Sequence, residues 1–367
     1  MTYTKLPVIV RKASPQSLFP LCLPRMATSE ALESRDQYTV GWIAALPLEL
    51  AAATAMLDEE RKKPFDFEQP STDHNTYTWG RIGGHNVVIA SLAAGVYGTT
   101  SAATTALSML HSFPHIRVGL MVGIGAGIAR PEHGRDIRLG DVAVCQPDGR
   151  TGGVLQYDLR KAKTGGKLET KGFLNMPPQA LLTALVNLQA QHERKPSKVP
   201  EFLKEMLRNN PKMAKSKPGK PSYVHQGGEN DRLFEPKYEH VDGLNCNKCD
   251  SHQEILRGKR DSIEPEIYYG IIASGNTLVK DAATRDFILQ HTGEECICFE
   301  MEAAGLMNNF PCLVIRGICD YADSHKSDRW QRYAAATAAG YAKEFLGVVP
   351  SEDLEKTRKA ADVIKSS

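Results

Sequence analysis

Residues 298–325 read CFEMEAAGLMNNFPCLVIRGICDYADSH and place three carboxylates where apolar runs end. Glu300 and Glu302 bracket Met301 at the close of one run, and Asp320 closes a second that starts at Pro311. A carboxylate in such a place can accept hydrogen bonds from a diol, or hold a proton for transfer when burial raises its pKa. The plainer alternative is that Glu300 and Glu302 answer the dipole of a helix beginning in EAAGLMNN. Three acids at two strand ends favour a functional grouping, because ligands of parallel sheets sit where strand-end loops converge. The run VGIGAGIA, residues 122–129, reads as strand passing into a glycine loop. Its Gly123, Gly125 and Gly127 would let backbone amides approach a ligand, although the spacing does not match GxGxxG.

A further cluster combines His240, Cys246, Cys249 and His252. Cys-x-x-Cys flanked by histidines could bind structural zinc; free thiols in a surface loop are the alternative, and neither has a catalytic part. His325, in DYADSHK, reads as a loop histidine, with a role at a ligand's far end conceivable.

The elements that must position these groups begin at Tyr38. YTVGWIAAL predicts a buried strand and PLELAAATAML a helix with Pro47 in its first turn. YTWGRIGG and HNVVIASLA predict a hairpin, and GVYGTTSAATTALSMLHSF a Gly- and Ser/Thr-rich loop entering a helix. HIRVGLMVGIGAGIA, LGDVAVCQ, YGIIASGN, ECICFE and PCLVIRGICD predict further strands, and RWQRYAAATAAGYAKEFLGVV the last clear helix. Alternation of this kind implies an α/β fold with a mostly parallel sheet. Between about residues 160 and 265 the pattern degrades into an insertion. Residues 194–220 hold nine Lys/Arg against two Glu, four prolines and one aromatic, Phe202. That composition predicts a solvated, partly disordered excursion rather than a nucleic-acid surface.

Composition narrows the setting. The 367 residues suffice for one large α/β domain, and a net charge of +2 suggests no polyanion partner. No apolar stretch approaches the roughly 18 residues of a membrane helix. Residues 1–36 read as a disordered tail interrupted by prolines, with a weak transit peptide as the alternative; residues 350–367 read as a charged, fraying tail. Eight cysteines, several inside apolar runs, fit reduced thiols in a cytoplasmic protein.

Taken together, VGWIAALPLEL, VGIGAGIARP with LGDVAV, IIASGNTLV, CFEMEAAGL and VIRGICDYAD resemble the nucleoside phosphorylase/nucleosidase superfamily. The nearest flavour is the fungal branch similar to methylthioadenosine/adenosylhomocysteine nucleosidase, often found at the head of NACHT or ankyrin proteins. The likeness covers residues 38–348 apart from the basic insertion, and FEMEA followed by a strand and an Asp is its specific part. It implies one domain over residues 37–349, a three-layer α/β/α sandwich with a mixed, distorted central sheet. It also implies a purine nucleoside substrate, no required cofactor and an assembly of two or more copies.

The resemblance also assigns roles. Asp320 matches the general acid at purine N7, Glu302 the acid that binds the ribose diol with Met301 beneath the sugar, and Glu300 a supporting group. Leu278 and Val279 match residues that sandwich the base, Trp330 an aromatic over the nucleoside, and Val96 part of the ligand-facing loop. Phosphorylases of the superfamily hold phosphate with arginines, which the corresponding AALPLEL and LMVGIGAG lack. Glu49 stands instead where the nucleosidase branch activates water. A carboxylate there would repel phosphate, so hydrolysis is expected over phosphorolysis. Glu49 as a helix N-terminal acid is compatible with either chemistry, and Arg130 or Arg316 leaves a rearranged phosphate site open. The other class of expectation is a sensor that binds nucleoside without turnover. No GxxxxGK[ST] motif occurs and the chain ends soon after the domain, which favours a stand-alone enzyme.

Overall fold

The computed structural model describes residues 1–2, 30–164, 168–243, 245–292 and 295–365. Strand β1 (Val40–Ala44) is buried throughout and leads into α1 (Pro47–Ala55), whose first residue is Pro47. Strand β2 (Glu59–Arg61) precedes the hairpin of β3 (Tyr77–Ile82) and β4 (His85–Ser91), which turns at Gly83 with a φ of 56°. Helix α2 (Thr99–Ser112) is followed by β5 (Val118–Gly127) and β6 (Val142–Cys145). Strand β7 (Val154–Gln156) follows, and the insertion contains the ribbon of β8 (Arg160–Ala162) and β9 (Leu168–Thr170) and helices α3 (Gln179–His192) and α4 (Val199–Asn209). Then come β10 (Ile267–Ser274), α5 (Ala282–Thr292), β11 (Cys296–Glu300), α6 (Ala303–Leu306), β12 (Cys312–Asp320) and α7 (Gln331–Leu346). Two short helices, α8 (Ser351–Lys356) and α9 (Ala360–Lys365), follow.

The main sheet is mixed, as expected, in the order β11-β10-β6-β12-β5-β1-β4-β3-β2. β12 runs parallel to β5 and antiparallel to β6. β11 also folds back to pair antiparallel with β5, through Cys298 opposite Gly127 and Phe299 opposite Ala126. Strands β5, β12, β6, β10 and β11 thus form a closed ring, from which β1, β4, β3 and β2 extend as a wing. The ring brings the ends of β5, β11 and β12 together. Helix α7 seals it: a Cβ added to Gly317 on β12 would lie 1.8 Å from Ala334 O, so strand and helix meet backbone to backbone.

Four expectations require correction. The glycine run is not a loop, because β5 continues through Gly127. Residues 194–220 are not a structureless excursion: Val199, Leu203 and Met206 recur at helical spacing and are buried, and α4 packs on α7. Glu344 of α7 anchors the segment, accepting from Ser197 Oγ at 2.6 Å and Lys198 N at 2.8 Å. Residues 351–365 pack on the fold instead of fraying, since Leu354 and Ala360 are buried and Ala360 N donates to Ile116 O at 2.8 Å; residues 366–367 lie outside the described residues. At the other end order begins before Tyr38: Leu32 packs on the core and Ser34 Oγ donates to Asp66 at 2.7 Å. The rest of the expected N-terminal tail, residues 3–29, lies outside the described residues.

Replacing residues 194–220 with a Gly/Ser linker should therefore destabilise the fold. Three buried side chains at about 1.5–3 kcal/mol each would be lost. A scanning melt should show a fall of roughly 10 °C or more. An unchanged melt would mean that α4 contributes nothing to the core.

Candidate active site

A cavity of about 300 Å³ opens where β1, β5, β11 and β12 end, and Glu49, Glu302 and Asp320 all line it. A larger cleft of about 1050 Å³ lies between residues 147–179 and 304–311, but its lining contains no carboxylate. The smaller cavity is therefore the candidate site.

Glu49 is the third residue of α1 and is buried. Its Oε2 accepts from Ala45 N at 2.7 Å and Leu46 N at 2.9 Å, and Oε1 accepts from Ile124 N at 2.7 Å. The side chain caps its own helix and faces the cavity at once. Burial pushes its carboxyl pKa above the ordinary range, against the pull of Arg316 and these amides. The glycines of β5 make this arrangement possible. A Cβ on Gly123 would lie 2.4 Å from Glu49 Oε1 and 2.6 Å from Arg316 Nη1, and one on Gly125 would lie 2.5 Å from Cys298 Sγ. They make room for side chains more than for a ligand.

Arg316 is fully buried on β12. It forms an ion pair with Glu300 and a second with Glu302 at 3.2 Å. Glu300 also accepts from the backbone amides of Glu302 and Ala303, so it fixes the turn that presents Glu302. Burial pushes the Glu302 carboxyl up to about 7; Arg316 opposes this, while Glu300 and Glu49 reinforce it. The arginine contact alone would argue for a low pKa, but a guanidinium that also pairs with Glu300 does not offset the desolvation of Glu302.

Asp320 sits at a bulge, with the register of β12 against β5 shifting between Ile318 and Asp320. Its Oδ1 accepts from Ala322 N at 3.0 Å, and its Oδ2 takes the Lys326 ammonium at 2.6 Å and the Cys319 thiol at 3.1 Å. Burial acts to lower the lysine pKa, yet Asp320 outweighs it and the net shift is upward. Ala322 adopts a φ of 54°, a left-handed conformation costly for alanine, in the turn beside the acid. Lys326 has no sequence signal of its own; only the fold brings it to Asp320.

Of the other expected residues, Met301, Leu278, Val279 and Gly125 line the cavity, Val279 buried and Leu278 half-exposed. Three do not. Gly127 faces Ile318 and Ile137. Val96 is exposed outside the cavity, and its neighbour Tyr97 lines it instead. Trp330 is buried elsewhere: its Nε1 donates to Asn230 O at 3.1 Å and its ring meets His225 and Tyr333 edge-on. Ala45, Thr277 and Gln331 join the lining unannounced.

Comparison with known proteins agrees with this architecture. No family model matches the chain. A nucleotide-binding leucine-rich repeat (NLR)-like protein of Hyaloscypha variabilis is 46% identical over 88% of the chain, which spans 30% of that protein. The ATP nucleosidase Cap17 of Escherichia coli is 26% identical over 83% of the chain, which spans 50% of it. The chain thus corresponds to half or less of the length of these relatives. Among solved structures, 5′-methylthioadenosine/S-adenosylhomocysteine nucleosidase from Neisseria meningitidis superposes with a TM-score of 0.52 at 16% identity, over 84% of this chain and 98% of that one. Futalosine hydrolase of Helicobacter pylori gives the same score and identity over 85% and 99%. The chain has the nucleoside phosphorylase/nucleosidase fold.

Proposed function

We propose that this chain is an N-ribosyl hydrolase that splits a purine nucleoside, or a 5′-substituted form of one, into free base and sugar. The observation that carries the reading is the convergence of Glu49, Glu302 and Asp320 on one cavity, while the buried Arg316 lies outside its lining and is paired with Glu300 and Glu302. Phosphorolysis needs a site for a dianion. Here the amides of Ala45, Leu46 and Ile124 already donate to Glu49 and Arg316 is already paired with Glu300 and Glu302, so none of these donors is left for a dianion. Water suits the site better.

In this reading Glu302 accepts hydrogen bonds from the ribose 2′ and 3′ hydroxyls and Met301 packs beneath the sugar. Leu278 and Val279 flank the base. The bond from C1′ to the base breaks toward an oxocarbenium-like sugar as N7 takes a proton from the Asp320–Lys326 pair. Water adds to C1′ and gives its proton to Glu49. Likeness to nucleosidases, Cap17 among them, supports this chemistry. It also puts 5′-phosphorylated nucleosides among the substrates to test, for which the exposed Lys280 at the cavity rim is suitably charged. The second reading, a nucleoside sensor without turnover, draws on the similarity to an NLR-like protein.

The raised Glu302 carboxyl yields a signed prediction. In the free protein the neutral form is favoured, a stabilising contribution complete below the ordinary value of 4.5 and lost as pH rises through about 7. Ribose hydroxyls donate best to the ionised form, so riboside affinity should rise across the same interval. Glu302→Gln should flatten the profile, and 2′-deoxynucleosides should be poorer substrates at every pH. Titration of KM for matched ribosides and deoxyribosides decides. Equal KM for both sugars would remove Glu302 from the diol.

A further inference from the structure

The segment between α4 and β10 meets the loop after β12 at a group of soft metal ligands. His240, Cys246 and Cys249 each offer one ligand atom, and these atoms lie within 4.8 Å of one another. The short helical turn Cys246–Lys248 draws the cysteines together, with Cys249 N donating to Cys246 O at 3.0 Å. Arg232 braces that turn, donating to the carbonyls of Cys246 and Cys249 while paired with Glu254. His240 Nε2 contacts Asn245 O at 3.2 Å, a contact of the kind that fixes the tautomer and leaves Nδ1 to ligate.

His325 approaches from the other side. Its ring centre is 5.5 Å from that of His240, and it stacks on Phe234 at 4.0 Å. Its side chain is 5% exposed, yet neither ring nitrogen has a hydrogen-bond partner; Asp323 Oδ1 is 3.8 Å from Nδ1. A buried imidazole in that condition bears a desolvation cost that a ligand bond would offset. Neither His325 nor His252, whose spacing also suggested a ligand, belongs to the three residues within 4.8 Å; His325 is buried against His240, whereas His252 is exposed.

We propose that His240, Cys246, Cys249 and His325 hold one zinc ion in a tetrahedral site that ties the insertion to the loop carrying Lys326. Two thiolates and two imidazoles suit zinc, and the thiolates cancel its charge in a half-buried place. The tie reinforces an existing one, His240 N donating to Ser324 Oγ at 3.0 Å. Lys326, next in the chain after His325, then holds its position on Asp320. The ion is structural and takes no part in bond cleavage.

The test measures metal on the untagged full chain by elemental mass spectrometry under reducing conditions. About one zinc per chain is expected, and almost none in Cys249→Ser. After chelation, cobalt titration of the wild type should give tetrahedral d–d bands and a thiolate charge-transfer band, which decides the matter if the serine variant does not fold. His325→Ala should bind metal at least about 10-fold more weakly, and His252→Ala as wild type does. A folded wild type that takes up neither added zinc nor cobalt would overturn the site. Unweakened binding in His325→Ala, or loss in His252→Ala, would overturn the proposed ligand set. Metal content is read without turnover, so this outcome is independent of the nucleosidase reading.

Discussion

Asp320→Asn should lower turnover of a purine nucleoside by roughly 10²–10⁴-fold, the usual consequence of losing a general acid, while leaving binding measurable. Asparagine keeps the shape of the side chain but has no transferable proton. It also disturbs its surroundings, because an oxygen facing Lys326 leaves the amide nitrogen against the Ala322 N–H. Nucleoside binding and the melting temperature must therefore be recorded beside the rate. A variant that folds, binds and turns over normally would exclude Asp320 from proton transfer. Glu49→Gln is a less clean counterpart: both glutamate oxygens accept from backbone amides, and a glutamine nitrogen would face at least one of those donors. About 1–3 kcal/mol of destabilisation should accompany its loss of activity.

Arg316→Met should be the most damaging substitution for the fold. It would leave Glu300, Glu302 and Glu49 buried around a cation that is no longer there, at a cost of about 3–5 kcal/mol. The sign of the pH effect follows. Without the guanidinium the already raised carboxyls of Glu302 and Glu49 are pushed up further, so the variant should regain stability relative to wild type as pH falls and these two acids take up protons. Melts recorded between about pH 5 and pH 8 would show the two curves converging on the acid side. If Arg316 were instead a phosphate anchor, the variant would fold normally and lose only a phosphate requirement.

Much of this site is legible in the sequence because it lies at the ends of strands. The apolar runs ending at Glu300 and Asp320 locate two carboxylates at one edge of a sheet before any pairing is known. Glu49 is singled out only by the resemblance, since its place after the first strand equally suits a helix N-terminal acid. What is not legible depends on contacts between distant segments. The pairing of β11 with β5 closes the ring, and no local pattern announces it. The glycines of β5 look like a ligand cradle until Arg316 and Glu49 are seen to occupy the space beside them. Trp330 is drawn away from the cavity by Asn230 and His225, which belong to the insertion. The apolar stripe Val199, Leu203 and Met206 was present in the sequence, but nine basic residues around it suggested solvent.

The central claim is hydrolysis at the Glu49–Glu302–Asp320 cavity, and product analysis tests it most directly. Purified protein is incubated with a panel of purine nucleosides and their 5′-phosphorylated forms, with and without inorganic phosphate, and the sugar product is identified. The account predicts free base together with free ribose or its 5′-phosphorylated form, at a rate indifferent to phosphate. Saturable dependence on phosphate with release of the sugar 1-phosphate would contradict it, as would nucleoside binding with no base released from any member of the panel.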